Sequence, residues 1–137
     1  MANRSLVDNV AVRVSLDAAD YTSDQNGTGV DTRGFDSVTA LFGFGASGDT
    51  LSGSVYVAGV VQESDDNSVF TDVADADLVG TEPLVDDPAE DSAVYKVGYI
   101  GNKRYIRTKF DFTGTHSVGI ECYGVVLLGH PGVAPQS

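Results

Sequence analysis

The sequence predicts an all-β domain, an antiparallel β-sandwich or small barrel of seven to eight strands and jelly-roll-like in outline, on three observations. Apolar residues alternate with polar ones in segment after segment, each bounded by Gly, Asn, Asp or Pro. Of the 20 acids, 16 are Asp and only four are Glu (Glu63, Glu82, Glu90 and Glu121). Asp competes for backbone hydrogen bonds in turns, whereas Glu is comfortable inside helices, so the skew favours turns over helices. The 16 glycines argue the same way, because glycine weakens helix interiors and serves hairpins and bulges. At 137 residues the chain has the size of one domain, residues 1–137, with 1–8 expected as an N-terminal arm and 130–137 as a C-terminal tail.

The elements follow in order. Val10, Val12, Val14 and Leu16 alternate with Ala11, Arg13, Ser15 and Asp17 and predict a half-buried strand with the valines on its apolar face. Residues 20–29 contain Asn26-Gly27 and predict a loop; a short strand at 30–32 and a longer one at 37–44 come next. A long central strand is expected from Leu51 through Val60, with Val57 and Gly59 on one face and Tyr56, Ala58 and Val60 on the other. Gln62–Asn67 predict a polar turn from which the chain returns as a hairpin at 69–71, and Asp87 is placed to cap one helical turn at Pro88-Ala89-Glu90. Strands at 93–100 and 103–112 are expected to pair through Gly101-Asn102. On the second of them Lys103, Tyr105, Arg107, Lys109 and Asp111 share the solvent face, opposite Ile106, Thr108, Phe110 and Phe112. The last strand, 117–128, places Val118, Ile120, Cys122, Val126 and Leu128 together, and Gly129-His130-Pro131 ends it.

Charge excludes several functions by default. A formal charge of −12 argues against a nucleic-acid partner and against a polybasic membrane-surface module. The start has no apolar run behind a basic flank, and no stretch approaches 18 apolar residues, so neither a signal peptide nor a membrane-spanning helix is expected. The single cysteine, Cys122, permits no internal disulfide and no thiolate zinc site within the chain. The charge is unevenly spread: residues 63–91 hold 11 acids and no base, whereas Lys96, Lys103, Arg104, Arg107 and Lys109 put five of the eight bases into 14 residues. Such separation suits contacts between subunits, and Lys103, Tyr105, Arg107 and Lys109 are the candidate protein-contact residues.

No catalytic site and no cofactor are expected. Gly43-Phe-Gly45-Ala-Ser-Gly48 spells a dinucleotide fingerprint, but the chain beyond it reads as strand, and the phosphate site needs a helix N-terminus there. Asp72, Asp75 and Asp77 are oxygen ligands of the kind calcium takes, yet the spacing is not that of an EF-hand, and a solvated acidic loop is the simpler expectation. His116 and His130 lie near turns, no serine stands in a nucleophile elbow, and Cys122 sits within an apolar strand where a thiol packs as a small hydrophobe.

Three segments, 61–82 beginning Val-Gln-Glu-Ser-Asp-Asp-Asn, 94–107 reading Val-Tyr-Lys-Val-Gly-Tyr-Ile-Gly-Asn-Lys-Arg-Tyr-Ile-Arg, and Gly129-His130-Pro131, resemble a family of small virion proteins of tailed bacteriophages encoded among the head genes. They cover 39 residues (22 + 14 + 3), while the N-terminal half carries only the generic strand pattern. The resemblance implies a non-enzymatic structural protein on the outer surface of the capsid, a decoration (cement) protein or spike base, made in the host cytoplasm and incorporated into the virion. It implies the major capsid protein as partner, together with other copies of the chain as a homotrimer or, alternatively, a vertex pentamer. A carbohydrate- or receptor-binding module of a phage spike or fibre base is the alternative function.

Overall fold

The computed structural model describes residues 9–131, so the predicted arm at 1–8 and all but the first two residues of the predicted tail lie outside it. His130 and Pro131 belong to the last strand rather than to a tail. Eleven strands are present among the described residues: β1 (Val10–Tyr21), β2 (Gln25–Asn26), β3 (Val30–Asp31), β4 (Phe35–Ser47), β5 (Tyr56–Ser64), β6 (Thr71–Asp72), β7 (Leu78–Val79), β8 (Leu84–Val85), β9 (Ala93–Tyr99), β10 (Tyr105–Thr113) and β11 (Ile120–Pro131). The expected seven to eight is thus too low. Three two-residue strands that were not expected, β2, β7 and β8, account for the difference, because a pair of residues leaves too little alternation to be seen against a loop.

The strands form two antiparallel sheets packed face to face, ordered β1-β11-β4-β9-β7 and β2-β10-β5-β6, with β3 also on β10 and β8 also on β5. The all-β sandwich is therefore the architecture, and the small barrel is not. Along the chain three of the longer strands hand over directly to the opposite sheet: β4 to β5, β9 to β10, β10 to β11. This corrects the expected pairing of the strands on either side of Gly101-Asn102. β9 pairs with β4 and β7, whereas β10 pairs with β5. Both strands have an apolar face, Val97 and Tyr99 on one and Ile106 and Phe110 on the other, and a crossover buries the two faces against a shared core.

Three boundaries also differ. β5 begins only at Tyr56, because Ser52 to Val55 close a tight turn of their own, and it runs on through Glu63 to Ser64. The hairpin after it forms as expected, but the returning strand is 71–72; Asp66 Oδ1 holds the turn by accepting from the amides of Ser68 and Val69 at 3.0 Å. On β1 the predicted faces are reversed over its first half. Ala11 is buried, while Val12 and Val14 point outward at 57% and 58% exposure. Register shifts between Val14 and Leu16, and again before Ala19, turn Leu16 back into the core. The capped turn is borne out as a 3-10 turn, Pro88–Glu90, with Asp87 accepting from the Ala89 amide at 2.9 Å.

The core lies between the sheets. Phe42 and Phe44 of one sheet meet Phe110 of the other edge to face, with ring centroids 5.4 and 5.5 Å apart. Ile106, Ile120, Leu128, Val57, Val61, Val97 and Val126 complete it. Thr108 on β10 lies directly over Gly124 on β11, and any Cβ there would collide with the threonine side chain, so glycine sets how closely the sheets approach.

Candidate functional site

The predicted basic face exists, but its charges are engaged within the chain. Arg107, Lys109 and Tyr105 project from the outer side of β10, opposite Gln62, Val60 and Ser64 of β5. The Arg107 Nε donates to Gln62 Oε1 at 2.8 Å, and Gln62 Nε2 in turn donates to Asp72 Oδ1 at 2.8 Å, making a polar ladder across three strands. The Arg107 guanidinium also lies 4.1 Å from the centre of the Phe70 ring. Lys109 reaches Asp111 at 3.3 Å on its own strand. Lys103 pairs with Asp65 at 2.8 Å, and that partner raises its pKa. Asp65, Asp72 and Phe70 all belong to the 63–91 segment, so the charge separation seen along the sequence is in part closed inside one domain.

The acidic residues named as calcium candidates are spread out rather than gathered. Asp72 is the one tied to Gln62 on β6, while Asp75 and Asp77 lie on the exposed 3-10 turn Asp75–Asp77. Among the described residues no group of three or more His, Cys, Asp or Glu is arranged to hold a metal ion. The acid with the most unusual surroundings is Glu82, which nothing in the spacing singled out. Its Oε2 accepts from the Val61 amide of β5 at 2.6 Å. Burial pushes its pKa up, the Val61 amide opposes that, and the charges of Asp72, Asp75 and Asp111 add to the rise.

Asp49, His116 and Ser117 do come together, but in the wrong order for nucleophilic catalysis. Ser117 Oγ donates to Asp49 Oδ1 at 3.1 Å, and the amides of Val118 and Gly119 also point at the carboxylate, with Gly119 N at 2.7 Å. These amides, Gly119 first, hold the Asp49 carboxyl below its usual range. His116 is buried and directs Nε2 at the carbonyl oxygens of Thr113 (3.0 Å) and Tyr56 (3.2 Å), away from any hydroxyl. A hydrolase needs the imidazole between serine and carboxylate, whereas here the carboxylate stands between the other two. The Cys122 thiol is buried, and burial pushes its pKa up to about 12, so the nucleophilic thiolate is suppressed.

Two surfaces remain. The first is a cleft of about 460 Å³ at one end of the sandwich, where the turn before β4 meets the β9–β10 connection. Arg33, Lys103 and Arg104 line it together with Asn102, Ile100 and Phe35. The Arg104 fork is closed on Asp31, with contacts of 3.0 and 2.7 Å, which draws the Asp31 carboxyl below its ordinary value. Arg33 gives its backbone amide to Asp31, and its guanidinium has no ion-pair partner among the described residues.

The second is the outer face of the sheet β1-β11-β4-β9-β7. Cross-strand register places Val12 beside Leu127 and Val14 beside Val125 and, beyond it, Leu41. Tyr123 lies over Gly43, whose next neighbour is Val94. Val79 stands opposite Gly98 at the far edge. Val12, Val14, Val79 and Val94 are each 57–58% exposed. A trough of about 470 Å³ bordered by Val10, Thr39 and Leu127 continues the face toward the His130 end of β11. The outward side of an antiparallel sheet is ordinarily polar, so one that is apolar except for Thr39 and for Lys96, the neighbour of Leu41, is distinctive on so acidic a chain. A signal for it is present in the sequence: Tyr123, Val125 and Leu127 alternate with Cys122, Val126 and Leu128, so β11 is apolar on both sides.

No helix among the described residues is long and apolar enough to cross a membrane. No protein-family model matches the chain, and no curated protein matches it in sequence.

Proposed function

We propose that this chain is a non-enzymatic structural protein of a tailed-bacteriophage virion, a decoration protein that attaches to the outer surface of the head by the apolar face of its five-stranded sheet. The observation that carries the proposal is that face: Val12, Val14, Val79 and Val94 lie more than half exposed on a domain of charge −12. Large contiguous apolar patches are uncommon on the surface of a monomer and mark places where another macromolecule sits. The sequence resemblance to phage head proteins supplies the identity of that macromolecule, the major capsid protein. Copies on neighbouring sites associate with one another, as trimers by preference and as vertex pentamers in the alternative arrangement. Purified particles test the proposal directly. Quantitative mass spectrometry is expected to count tens to hundreds of copies per particle, and cryo-EM to show the sandwich on the shell exterior. Absence from the particle would overturn the proposal, and density confined to the tail tip would do so in favour of host attachment.

A further inference from the structure

We propose that the cleft holding Arg33, Lys103 and Arg104 receives the acidic turn 86–91 of a second copy of this chain, in a head-to-tail contact. The two features lie at opposite ends of the same strand. β9 starts beside the turn, where Ser92 N donates to Gly45 O and Ser47 N to Asp91 Oδ2, and it finishes at Tyr99 in the wall of the cleft. Seven extended residues separate the ends by roughly 20 Å at about 3.3 Å per residue, so turn and cleft cannot meet within one molecule. Each has the charge the other lacks. Three of the eight bases of the chain line the cleft with one acid, Asp36; two of them are neutralised by Asp65 and Asp31, so Arg33 is the base without an ion pair there. The turn carries Asp86, Asp87, Glu90 and Asp91 with no base between them. None of the four makes a salt bridge among the described residues, and Arg33 makes none either.

The acids of the turn are also crowded. The Glu90 pKa is raised chiefly by its side-chain contact with Asp86, with the neighbouring charges of Asp86 and Asp87 adding to it. A cation brought from outside relieves that repulsion, and Arg33 at the mouth of the cleft is the cation free to do so. Lys103 and Arg104 are already neutralised by Asp65 and Asp31, so the contact falls to Arg33. A contact between two different patches is heterologous, and it closes into a ring when the rotation between copies allows it. On a shell, where neighbours are held at fixed spacing, a weak contact of this kind is enough because the effective concentration is high.

The inference rests on the self-association proposed above and names the residues that would make it. Its test uses the free protein, so its outcome is separate from that of the particle assay. Sedimentation equilibrium is run on the parent, Arg33→Glu, Asp86→Lys and an equimolar mixture of the two variants. Asp86→Lys removes no cap from the turn, and Arg33 sits in an exposed loop, so both are expected to fold; Arg33→Gln serves if the charge reversal does not. The parent is expected to associate at low salt and to dissociate as salt rises from roughly 10 mM to roughly 1 M, where the screening length falls from about 30 Å to about 3 Å. Each variant alone is expected to associate about two- to thirtyfold more weakly, from the reversal of an exposed ion pair. The mixture is expected to regain association, because the acidic turn of one variant meets the basic cleft of the other and the reversed pair is also complementary. A parent that stays monomeric throughout, variants that associate like the parent, or a mixture no better than its components would overturn the contact. Association lost in Val14→Lys but kept in Arg33→Glu would overturn it too, in favour of the sheet face.

Discussion

The hydroxyl of Ser15 joins the two sheets at one edge of the sandwich by accepting from the backbone amide of Thr108 at 3.0 Å. Ser15 Oγ donates in turn to Thr28 O at 3.0 Å, and Gly27 N donates to Thr108 O at 2.8 Å. This is the stretch of β10 between β2 and β3, where no neighbouring strand meets the Thr108 amide, and the serine side chain takes the place of a strand. Ser15→Ala leaves that buried amide without its acceptor. The expected cost is about 1–3 kcal/mol, the range for an orphaned buried donor. Urea unfolding checks it: the midpoint should fall with the slope unchanged.

Arg107 and Lys109 look equivalent in sequence and are not. Arg107 stacks on Phe70 and donates to Gln62, whereas Lys109 has only the half-buried contact to Asp111 on its own strand. Arg107→Ala is expected to destabilise by about 1–2 kcal/mol, from one cation–π contact and one hydrogen bond. Lys109→Ala should cost less than about 0.5 kcal/mol. Thermal unfolding of the two variants side by side measures the difference, and equal effects would mean that the ladder from Arg107 to Asp72 contributes nothing.

How much of this was legible in the sequence depends on how local each interaction is. The faces of β10, the inward set on β11 and the cap at Asp87 rest on neighbours one to three residues away, and the alternation and turn chemistry disclosed them, except that Val118, expected inward, is 65% exposed and precedes β11, which starts only at Ile120. The pairing of β11 with both β1 and β4 joins residues about 70 to 120 apart in the chain, and nothing in a single sequence records it. The same holds for Asp31 with Arg104 and for Glu82 with Val61, each a contact between elements that only the crossover topology brings together. The exposed valines of β1 were misplaced for a different reason. Alternation says that two faces differ but not which one is covered, and on this sheet both are apolar.

The pH dependence of stability is expected to carry the signature of Glu82. Its carboxyl is raised by burial and by the charges around it, so the folded state favours the protonated form. A group whose folded pKa is raised contributes stability that is fully present below the unfolded value and is lost as pH rises through the folded one. Above that point the ionised Glu82 weakens the fold. Glu82→Gln keeps an oxygen that accepts from the Val61 amide and removes the charge. The variant should therefore unfold at higher temperature than the parent at pH 7, with the gap closing near pH 4. Melting temperatures recorded across that interval check it, and a gap that widens toward acid would reverse the sign of the argument.

The outer sheet face makes the sharpest demand on the proposed attachment. Val14 is 58% exposed and its neighbours across the register, Val125 and Leu41, are already partly covered, so a longer polar side chain there has solvent to enter. Surface changes away from caps, cavities and buried partners usually stay within about 0.5 kcal/mol, and Val14→Lys should unfold like the parent. Docked against a shell, the same lysine would have to be buried without a partner, which is costly enough to dominate a contact built from apolar area. The variant is therefore expected to fold normally and to fail to bind undecorated capsids in a co-sedimentation assay, at low and at high salt alike. Val94→Lys, on the opposite side of the same face, should behave in the same way. Salt separates this effect from a charged contact: screening weakens binding made through ion pairs and leaves binding made through apolar burial intact or strengthened. Capsids that take up Val14→Lys as readily as the parent would exclude this face as the attachment surface.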